Sequence, residues 1–256
     1  MIGSNSQQIT VERLPAQRRR NLLILRAGDS PRPSLFLSLP NSRSFDIFVS
    51  YYAGPASNDI LATEADGIFT GGLSKFHSVH EIARVYPEIA DYEYILIADD
   101  DLEFRFSLDD FFAYCAAQGF DLAQASLTRD SHVSFALTWN QPGLSFRTTN
   151  FVEVMAPCFS RRYFGKMLHS FNYSISSWGL DVYWGHHLGD EYVAAIVDAF
   201  EMRHTHPFDP NGEFYNYLRA IGVDHNQELQ AILAHLGIAR YVPQALTSAP
   251  ASETAA

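Results

Sequence analysis

Three consecutive carboxylates, Asp99-Asp100-Asp101, directly follow the apolar run Tyr94–Ala98. Carboxylate oxygens are the ligands that Mg²⁺ and Mn²⁺ prefer, and both ions keep coordination positions open for substrate phosphates. Asp99 and Asp101 stand at i and i+2, a spacing that lets them share one ion or divide between the ion and a ligand hydroxyl. Like charges in a rigid turn repel unless a cation neutralises them, which favours a metal site over the alternative of an acidic loop in solvent.

A fourth acid, Asp181, lies at the end of the segment Ser177-Trp178-Gly179-Leu180-Asp181, where a helix is predicted to begin. Its apolar neighbours Trp178 and Leu180 are expected to raise the carboxyl pKa, which would suit a general base. The alternative is an acid that interacts favourably with the positive end of the helix dipole.

Two histidines, His204 and His206, stand at i and i+2 in the segment Met202–Pro207, so they share a face if that segment is extended. Either could complete a metal site beside the acids, and the alternative is a pair of polar loop histidines. A zinc site with Asp198 or with His186 and His187 is a weaker prediction, because the carboxylates favour a harder ion.

The elements that must position these groups are predicted to alternate between strand and helix, which favours a layered α/β sheet. The run Tyr94–Ala98 shows no polar alternation and is therefore expected to be buried on both faces of a parallel sheet. Asn21–Arg26, Phe45–Tyr52 and Phe151–Ala156 are further predicted strands, and Ser74–Tyr86 is a predicted helix. Ligands of such sheets lie beyond the carboxyl ends of the strands, which is where the acids stand.

The composition of the chain limits the class of protein to which it can belong. It has 256 residues, 47% of them hydrophobic, and a net charge of −11. The length predicts one large domain over residues 21–243, with a flexible arm over 1–20 and a disordered tail over 244–256. The acidic balance disfavours nucleic acid as a partner. Two cysteines and the lack of a long apolar stretch predict a reducing, cytoplasmic location without membrane insertion.

The order of three motifs resembles a domain family of unknown function that is itself similar to GT-A-fold glycosyltransferases. The motifs are the strand ending in Asp99-Asp100-Asp101, the block Phe151–Pro157 with Phe159-Ser160-Arg161, and Trp178–Asp181. The match runs in order over residues 21–207, although Asp100 replaces the family's usual Glu and 131–149 cannot be placed. The resemblance implies a three-layer α/β/α fold with a mainly parallel sheet.

The resemblance also implies roles for individual residues. Asp99, Asp101 and His204 are expected to hold Mn²⁺ or Mg²⁺, with His206 as the second candidate for the histidine position. Asp181 resembles the base of inverting enzymes of this fold. Lys75 stands where the family has a lysine and is assigned to the donor diphosphate, with a solvated surface lysine as the alternative.

The assignments of six further residues rest on position instead. Arg26 and Asp29 lie in or next to the loop after the first strand and are predicted, with Asp100, to bind the donor. Glu153 lies between apolar residues and, if buried, needs a partner, which makes it a candidate for acceptor binding. Trp178 and Trp184 lie near Asp181 and are predicted to stack on a sugar.

These observations predict a metal-dependent glycosyltransferase, inverting by resemblance, that takes a nucleoside diphosphate sugar and a glycan or other hydroxyl acceptor. By analogy it would serve polysaccharide or glycan assembly. The alternative is a non-catalytic protein of the same fold that binds nucleotide sugars or carbohydrates. A phosphatase or nucleotidyltransferase is disfavoured, because no nucleophile pattern or Gly-rich phosphate loop is present.

Overall fold

A computed structural model describes residues 8–28, 42–55, 59–207 and 209–251. Its strands are β1 (Ile9–Arg13), β2 (Asn21–Ala27), β3 (Phe45–Tyr51), β4 (Gly67–Gly71), β5 (Tyr94–Asp99), β6 (Leu102–Phe104), β7 (Leu122–Leu127), β8 (Leu144–Thr149), β9 (Cys158–Ser160), β10 (Ala194–His204) and β11 (Ala245–Pro250). Its α-helices are α1 (Ile60–Glu64), α2 (Lys75–Val85), α3 (Leu108–Gln118), α4 (Arg161–Met167), α5 (Leu180–His186), α6 (Glu213–Ala220) and α7 (His225–Leu236). The predicted donor residue Asp29 lies outside the described residues.

All of these strands belong to one sheet, in the order β1-β4-β3-β2-β5-β9-β7-β10-β8-β11, with β6 paired to β10. The pairs β3–β4, β2–β3, β2–β5 and β7–β10 are parallel. The short strand β9 is antiparallel to both β5 and β7, so those two strands share one direction. Six strands in the middle of the sheet therefore run the same way, which confirms the predicted mainly parallel α/β sheet.

Helices cover both faces of this sheet. On one face α1 and α3 pack over strand residues such as Leu23 and Ile47. On the other face α2, α4, α5 and α7 pack over residues such as Leu22 and Ile97. Alternate residues of each central strand thus enter different cores, which explains why residues 22–25 of β2 and residues 94–98 of β5 are apolar and buried. The predicted three-layer arrangement is confirmed.

The chain order of the central strands places a crevice at their carboxyl ends. After β2 the chain adds β3 and β4 on one side, and β5 then joins the other side of β2. The strand order therefore changes direction at the β2–β5 pair, and open sheets bind ligands beyond the carboxyl ends of the strands at such a point. Arg26 is the register partner of Asp99, so both residues lie at its edge.

The predictions for three other segments are wrong. Residues 9–13 of the predicted arm pair with β4, and residues 245–250 of the predicted disordered tail pair with β8. Phe151–Ala156 is not a strand, and β9 begins only after Pro157. Proline cannot donate to a ladder, and the Glu153 amide donates instead to the Gln124 side chain at 2.9 Å. Among the described helices, none has the length and hydrophobicity that a bilayer span requires.

Candidate active site

A cavity of about 880 Å³ opens at the carboxyl ends of β2, β5 and β10. The segment between β8 and β9, the start of α5, and residues of α6 and α7 complete its walls. Among the predicted site residues that the structure describes, Trp184 is missing from its lining. The others line it together: Arg26, Lys75, Asp99, Asp100, Asp101, Glu153, Trp178, Asp181, His204 and His206.

Asp101 and His204 meet at the carboxyl ends of β5 and β10. Nε2 of His204 lies 3.1 Å from Oδ2 of Asp101. Burial lowers the pKa of His204, but the hydrogen bond and the charge of Asp101 outweigh that effect and leave it raised. Burial likewise raises the pKa of Asp101, and His204 outweighs it, so that this pKa is lowered. The contact between the two side chains therefore favours the charged form of each.

The chemistry of this pair fits Mn²⁺ or Mg²⁺. Oδ1 of Asp101 is buried and has no hydrogen-bond partner among the described residues, so it retains lone pairs for an ion. The His132 carbonyl accepts from Nδ1 of His204 at 2.8 Å, which fixes the ring with Nε2 toward Asp101. Metal-binding histidines are commonly oriented by such a second bond. Within the described ranges, no three His, Cys, Asp or Glu residues are placed to hold a metal.

The third predicted ligand, Asp99, is turned to a different partner. Its Oδ2 accepts from Nζ of Lys75 at 2.7 Å, and Lys75 also donates to the Met155 carbonyl at 3.1 Å. Burial raises the pKa of Asp99, and the Lys75 ammonium acts against that effect. Asp99 is therefore an ion-pair partner of Lys75, and its role as a metal ligand stays a prediction. The alternative of a solvated surface lysine is wrong for Lys75, which is 6% exposed.

Arg26 and Asp100 stabilise the rim of the cavity. The Arg26 guanidinium donates to the carbonyls of Gly71 and Gly72 at 2.8 and 2.9 Å and lies 3.7 Å from the centre of the Tyr52 ring. Burial lowers the pKa of Arg26. Asp100 accepts from the Gly28 amide at 3.0 Å. Arg26 thus joins the ends of three strands, and a phosphate role for it stays a prediction.

Glu153 also lines the cavity. It is buried, and its Oε2 has no hydrogen-bond partner in the part of the chain that is described. Burial raises its pKa to about 7, and the nearby charges of His204 and Lys75 oppose that shift. Glu153 is therefore a carboxyl group that changes charge near neutral pH beside the candidate metal pair.

Asp181 lies in the first turn of α5 and faces the same cavity. Burial raises its pKa to about 7; the charge of Glu153 adds to the shift, and the Val182 amide, which donates at 2.8 Å, opposes it. The sequence expectation of a raised pKa thus agrees with the structure. Solvent exclusion is the main cause, and not only the two apolar neighbours in sequence.

The loop before Asp181 depends on a residue that the sequence reasoning missed. Glu228 of α7 accepts from the amides of Ile175 and Ser176, each at 2.8 Å, and from the Ser174 hydroxyl at 3.0 Å. Ser177 follows with φ of 70°, a conformation that costs energy for a residue other than glycine. A glutamate in a helix of the last fifty residues carries no sequence signal for this role.

The two predicted sugar-stacking tryptophans lie in different environments. Trp178 lines the cavity, and its Nε1 donates to the Tyr215 hydroxyl at 3.1 Å. Trp184 is 0% exposed and donates to Ser170 within the core beneath α2, so it cannot contact a sugar. The prediction for Trp184 is wrong because the next turn of α5 rotates it toward the sheet. Tyr215 is a cavity aromatic that sequence reasoning missed.

The fold also distinguishes His204 from the alternative ligand His206, and it bears on the alternative zinc site that used Asp198. His206 lines the cavity, but its Nδ1 contacts the Thr205 hydroxyl at 2.8 Å, whereas His204 contacts Asp101. Asp198 is bound by the Arg147 guanidinium at 2.8 and 2.9 Å and belongs to a buried ion pair. The zinc alternative that used Asp198 is therefore not supported.

Comparisons with known proteins give little beyond the fold. No protein-family model and no curated protein matches the chain. It is similar to GalNAc-T7 with UDP, GalNAc and Mn²⁺ at 9% identity and a TM-score of 0.49, over 85% of this chain and 51% of that one. It is similar to the mannosyltransferase PcManGT from Pyrobaculum calidifontis with GDP-Man and Mn²⁺ at 11% identity and a TM-score of 0.42, over 90% and 74%.

The chain thus spans about half the length of GalNAc-T7. Likenesses at these TM-scores and identities carry no argument about metal, donor or activity. The membership of the specific family that the motifs resemble stays a prediction.

Proposed function

We propose that this protein is a metal-dependent glycosyltransferase that moves a sugar from a nucleoside diphosphate sugar to a hydroxyl of a glycan or other acceptor. One observation carries the proposal. A single cavity contains both a carboxylate–imidazole pair that suits a divalent ion and a separate buried carboxyl group with a pKa of about 7. Displacement of a diphosphate by a hydroxyl needs these two groups together.

At the donor end, Asp101 and His204 would hold Mn²⁺ or Mg²⁺. Such an ion, when bound, neutralises the charge that develops on a departing diphosphate. Lys75 contributes a buried ammonium beside the acids, and Asp100 is held by the Gly28 amide where a donor hydroxyl could be recognised.

At the acceptor end, Asp181 takes the proton of the attacking hydroxyl as the oxygen bonds to the anomeric carbon and the bond to the diphosphate breaks. A pKa of about 7 leaves a large fraction of the group ionised at neutral pH and still makes it a useful base. Direct attack from this side inverts the anomeric configuration. Trp178 and Tyr215 offer aromatic surface for a sugar ring.

The test is calorimetric titration of Mn²⁺ and UDP-sugars into the full chain and into Asp101→Ala. Loss of metal-dependent donor binding in the variant is expected. Asp110→Ala, which removes an exposed carboxylate of α3, is the matched control and should bind as wild type does. Equal binding by all three proteins would contradict the proposal.

A second candidate function is binding of nucleotide sugars or carbohydrates without catalysis. It is favoured by the Lys75–Asp99 pair, because one of the two acids is already neutralised by an internal cation. A screen for released nucleoside diphosphate, with acceptors present, separates the two functions. Donor binding without release supports the second.

A further inference from the structure

Lys75 is an internal cation beside the acids that end β5. It is 6% exposed, and lysine is rarely buried unless it is paired. Its Nζ donates to Oδ2 of Asp99 at 2.7 Å and to the Met155 carbonyl at 3.1 Å. Both bonds come from a residue at the start of α2, so the helix fixes where this charge lies.

The pair is asymmetric toward the cavity. The Lys75 side chain is 7% exposed, whereas the Asp99 side chain is 40% exposed. Asp99 is therefore accessible to a ligand while one of its oxygens is bound to the ammonium. Asp101, two residues later, is paired with His204 instead. The two acids that the sequence assigns to one ion thus have separate partners: Asp99 has a fixed cation, and Asp101 has an imidazole that could bind the same ion.

We propose that Lys75 restrains binding of a divalent ion at this site. Its ammonium keeps Asp99 as an ion-pair partner and repels a second cation, so Asp99 becomes a metal ligand only when an anionic diphosphate draws the ammonium away. The inference rests on the proposed function, and it adds a dependence of metal affinity on the nucleotide.

Electrostatics makes the expected effect measurable. A positive charge within a few ångströms of a bound ion opposes it, and in a site of intermediate polarity the effect is about tenfold or more in affinity. Removing the ammonium also frees one further carboxylate oxygen, and oxygen ligands are those that Mn²⁺ favours. Both changes act in the same direction.

The experiment measures Mn²⁺ binding to the full chain by electron paramagnetic resonance, with Mn²⁺ alone and then with UDP. Lys75→Met is expected to bind Mn²⁺ alone about tenfold more tightly than wild type. Lys75→Arg keeps the charge and should stay within about threefold of wild type. The double variant Lys75→Met/Asp99→Asn should lose part of the gain, because the freed ligand is absent.

Addition of UDP provides a second readout. It should strengthen Mn²⁺ binding more in wild type than in Lys75→Met, because the variant has no ammonium to redirect. Coupling between two ligands is a difference of free energies, so the two titrations give it directly. Equal coupling in both proteins would overturn the proposal.

Asp99→Asn keeps the inference testable if Lys75→Met does not fold, as judged by circular dichroism. It should change the affinity for Mn²⁺ alone by less than about threefold, whereas Asp101→Ala should weaken it at least about tenfold. Equal losses in the two variants would overturn the proposal. So would a folded Lys75→Met that binds Mn²⁺ no more tightly than wild type.

These outcomes separate the inference from the proposed function. If wild type binds Mn²⁺ through Asp101 and Lys75→Met is unchanged, only the inference fails. If no protein binds Mn²⁺ with or without UDP, the proposed metal site itself fails and the inference fails with it.

Discussion

Two groups of acids in the cavity have different surroundings. At the strand ends, Asp99 is paired with Lys75 and Asp101 with His204. Glu153 and Asp181, in contrast, form no ion pair with any described residue, and burial raises the pKa of each to about 7. Ion-pair partners thus act on the charges of the first group, and exclusion of water acts on those of the second.

These surroundings suit different chemistry. His204 lowers the pKa of Asp101 and so favours its ionised form, which suits a cation, and carboxyl groups that ionise near neutral pH suit proton transfer. A third case, Glu228, is satisfied by two amides and a hydroxyl and has a purely positioning role in the loop that carries Trp178. The predictions below test whether the two groups of acids have separate tasks.

The largest effect is expected from removing the proposed base. Asp181→Asn should lower kcat about 10²- to 10⁴-fold, because the amide cannot accept the acceptor's proton. Donor and Mn²⁺ binding should be retained, since the proposed metal ligands Asp101 and His204 keep their own contact. Kinetics with calorimetry checks both points, and Asp190→Asn, an exposed acid after α5, is the control. Unchanged kcat in Asp181→Asn would remove the distinction between the two groups of acids.

Loosening the loop before Asp181 should have a smaller effect. Glu228→Ala leaves two amides and a hydroxyl without their acceptor, and hydrogen bonds to charged groups contribute about 1.5–3 kcal/mol each to stability. Displacement of a reacting group by about 1 Å can lower the rate about 100-fold. We therefore expect kcat to fall by no more than about 100-fold. Glu228→Gln retains one acceptor oxygen and should restore part of the loss. Equal kcat values in wild type and Glu228→Ala would show that the loop needs no such support.

The pH profile should sharpen the comparison further. Asp181 must be ionised to act as a base, so kcat/KM should rise with pH until about 7 and then become constant. We call this rising part of the profile the acid limb. The charge of Glu153 raises the pKa of Asp181, so Glu153→Gln should move the limb to lower pH. Profiles measured for both proteins with saturating metal test this. An unshifted limb would show that the two groups do not interact.

The smallest effect concerns stability. Asp181 has a folded pKa of about 7 and an unfolded pKa of about 3.9, so the folded state binds more protons between those values. Stability should therefore decrease as pH rises through that window. Asp181→Asn removes this contribution and should be relatively more stable at pH 8 than at pH 5. Urea unfolding at the two pH values measures the difference, and parallel curves for wild type and variant would contradict it.

Sequence periodicity was sufficient to predict a strand where the whole segment has one kind of environment. Residues 22–25 of β2 and residues 94–98 of β5 are apolar at every position, and they lie between two helical layers. Periodicity did not predict strands whose pairing partners come from elsewhere in the chain. Residues 245–250 form a strand only because β8 offers an edge for pairing, and no local pattern in an Ala/Ser/Thr/Pro segment shows that.

The cavity residues show the same limit of prediction from sequence. Trp178 and Trp184 are both aromatic residues near Asp181, yet one faces the cavity and the other the core. Their orientation depends on the phase of α5 relative to the sheet, which the spacing in sequence does not give. Tyr215 and Glu228 reach the site from α6 and α7, and neither has a neighbour in sequence that marks it.

By itself the sequence determined a buried parallel strand that ends in three acids, because burial and charge are written in consecutive residues. Only the tertiary structure decided which partner each acid meets. Lys75 and Asp99 are 24 residues apart, and Asp101 and His204 are 103 apart. The order of strands brings such pairs together, and the exclusion of water by the finished fold then sets the charges of Glu153 and Asp181.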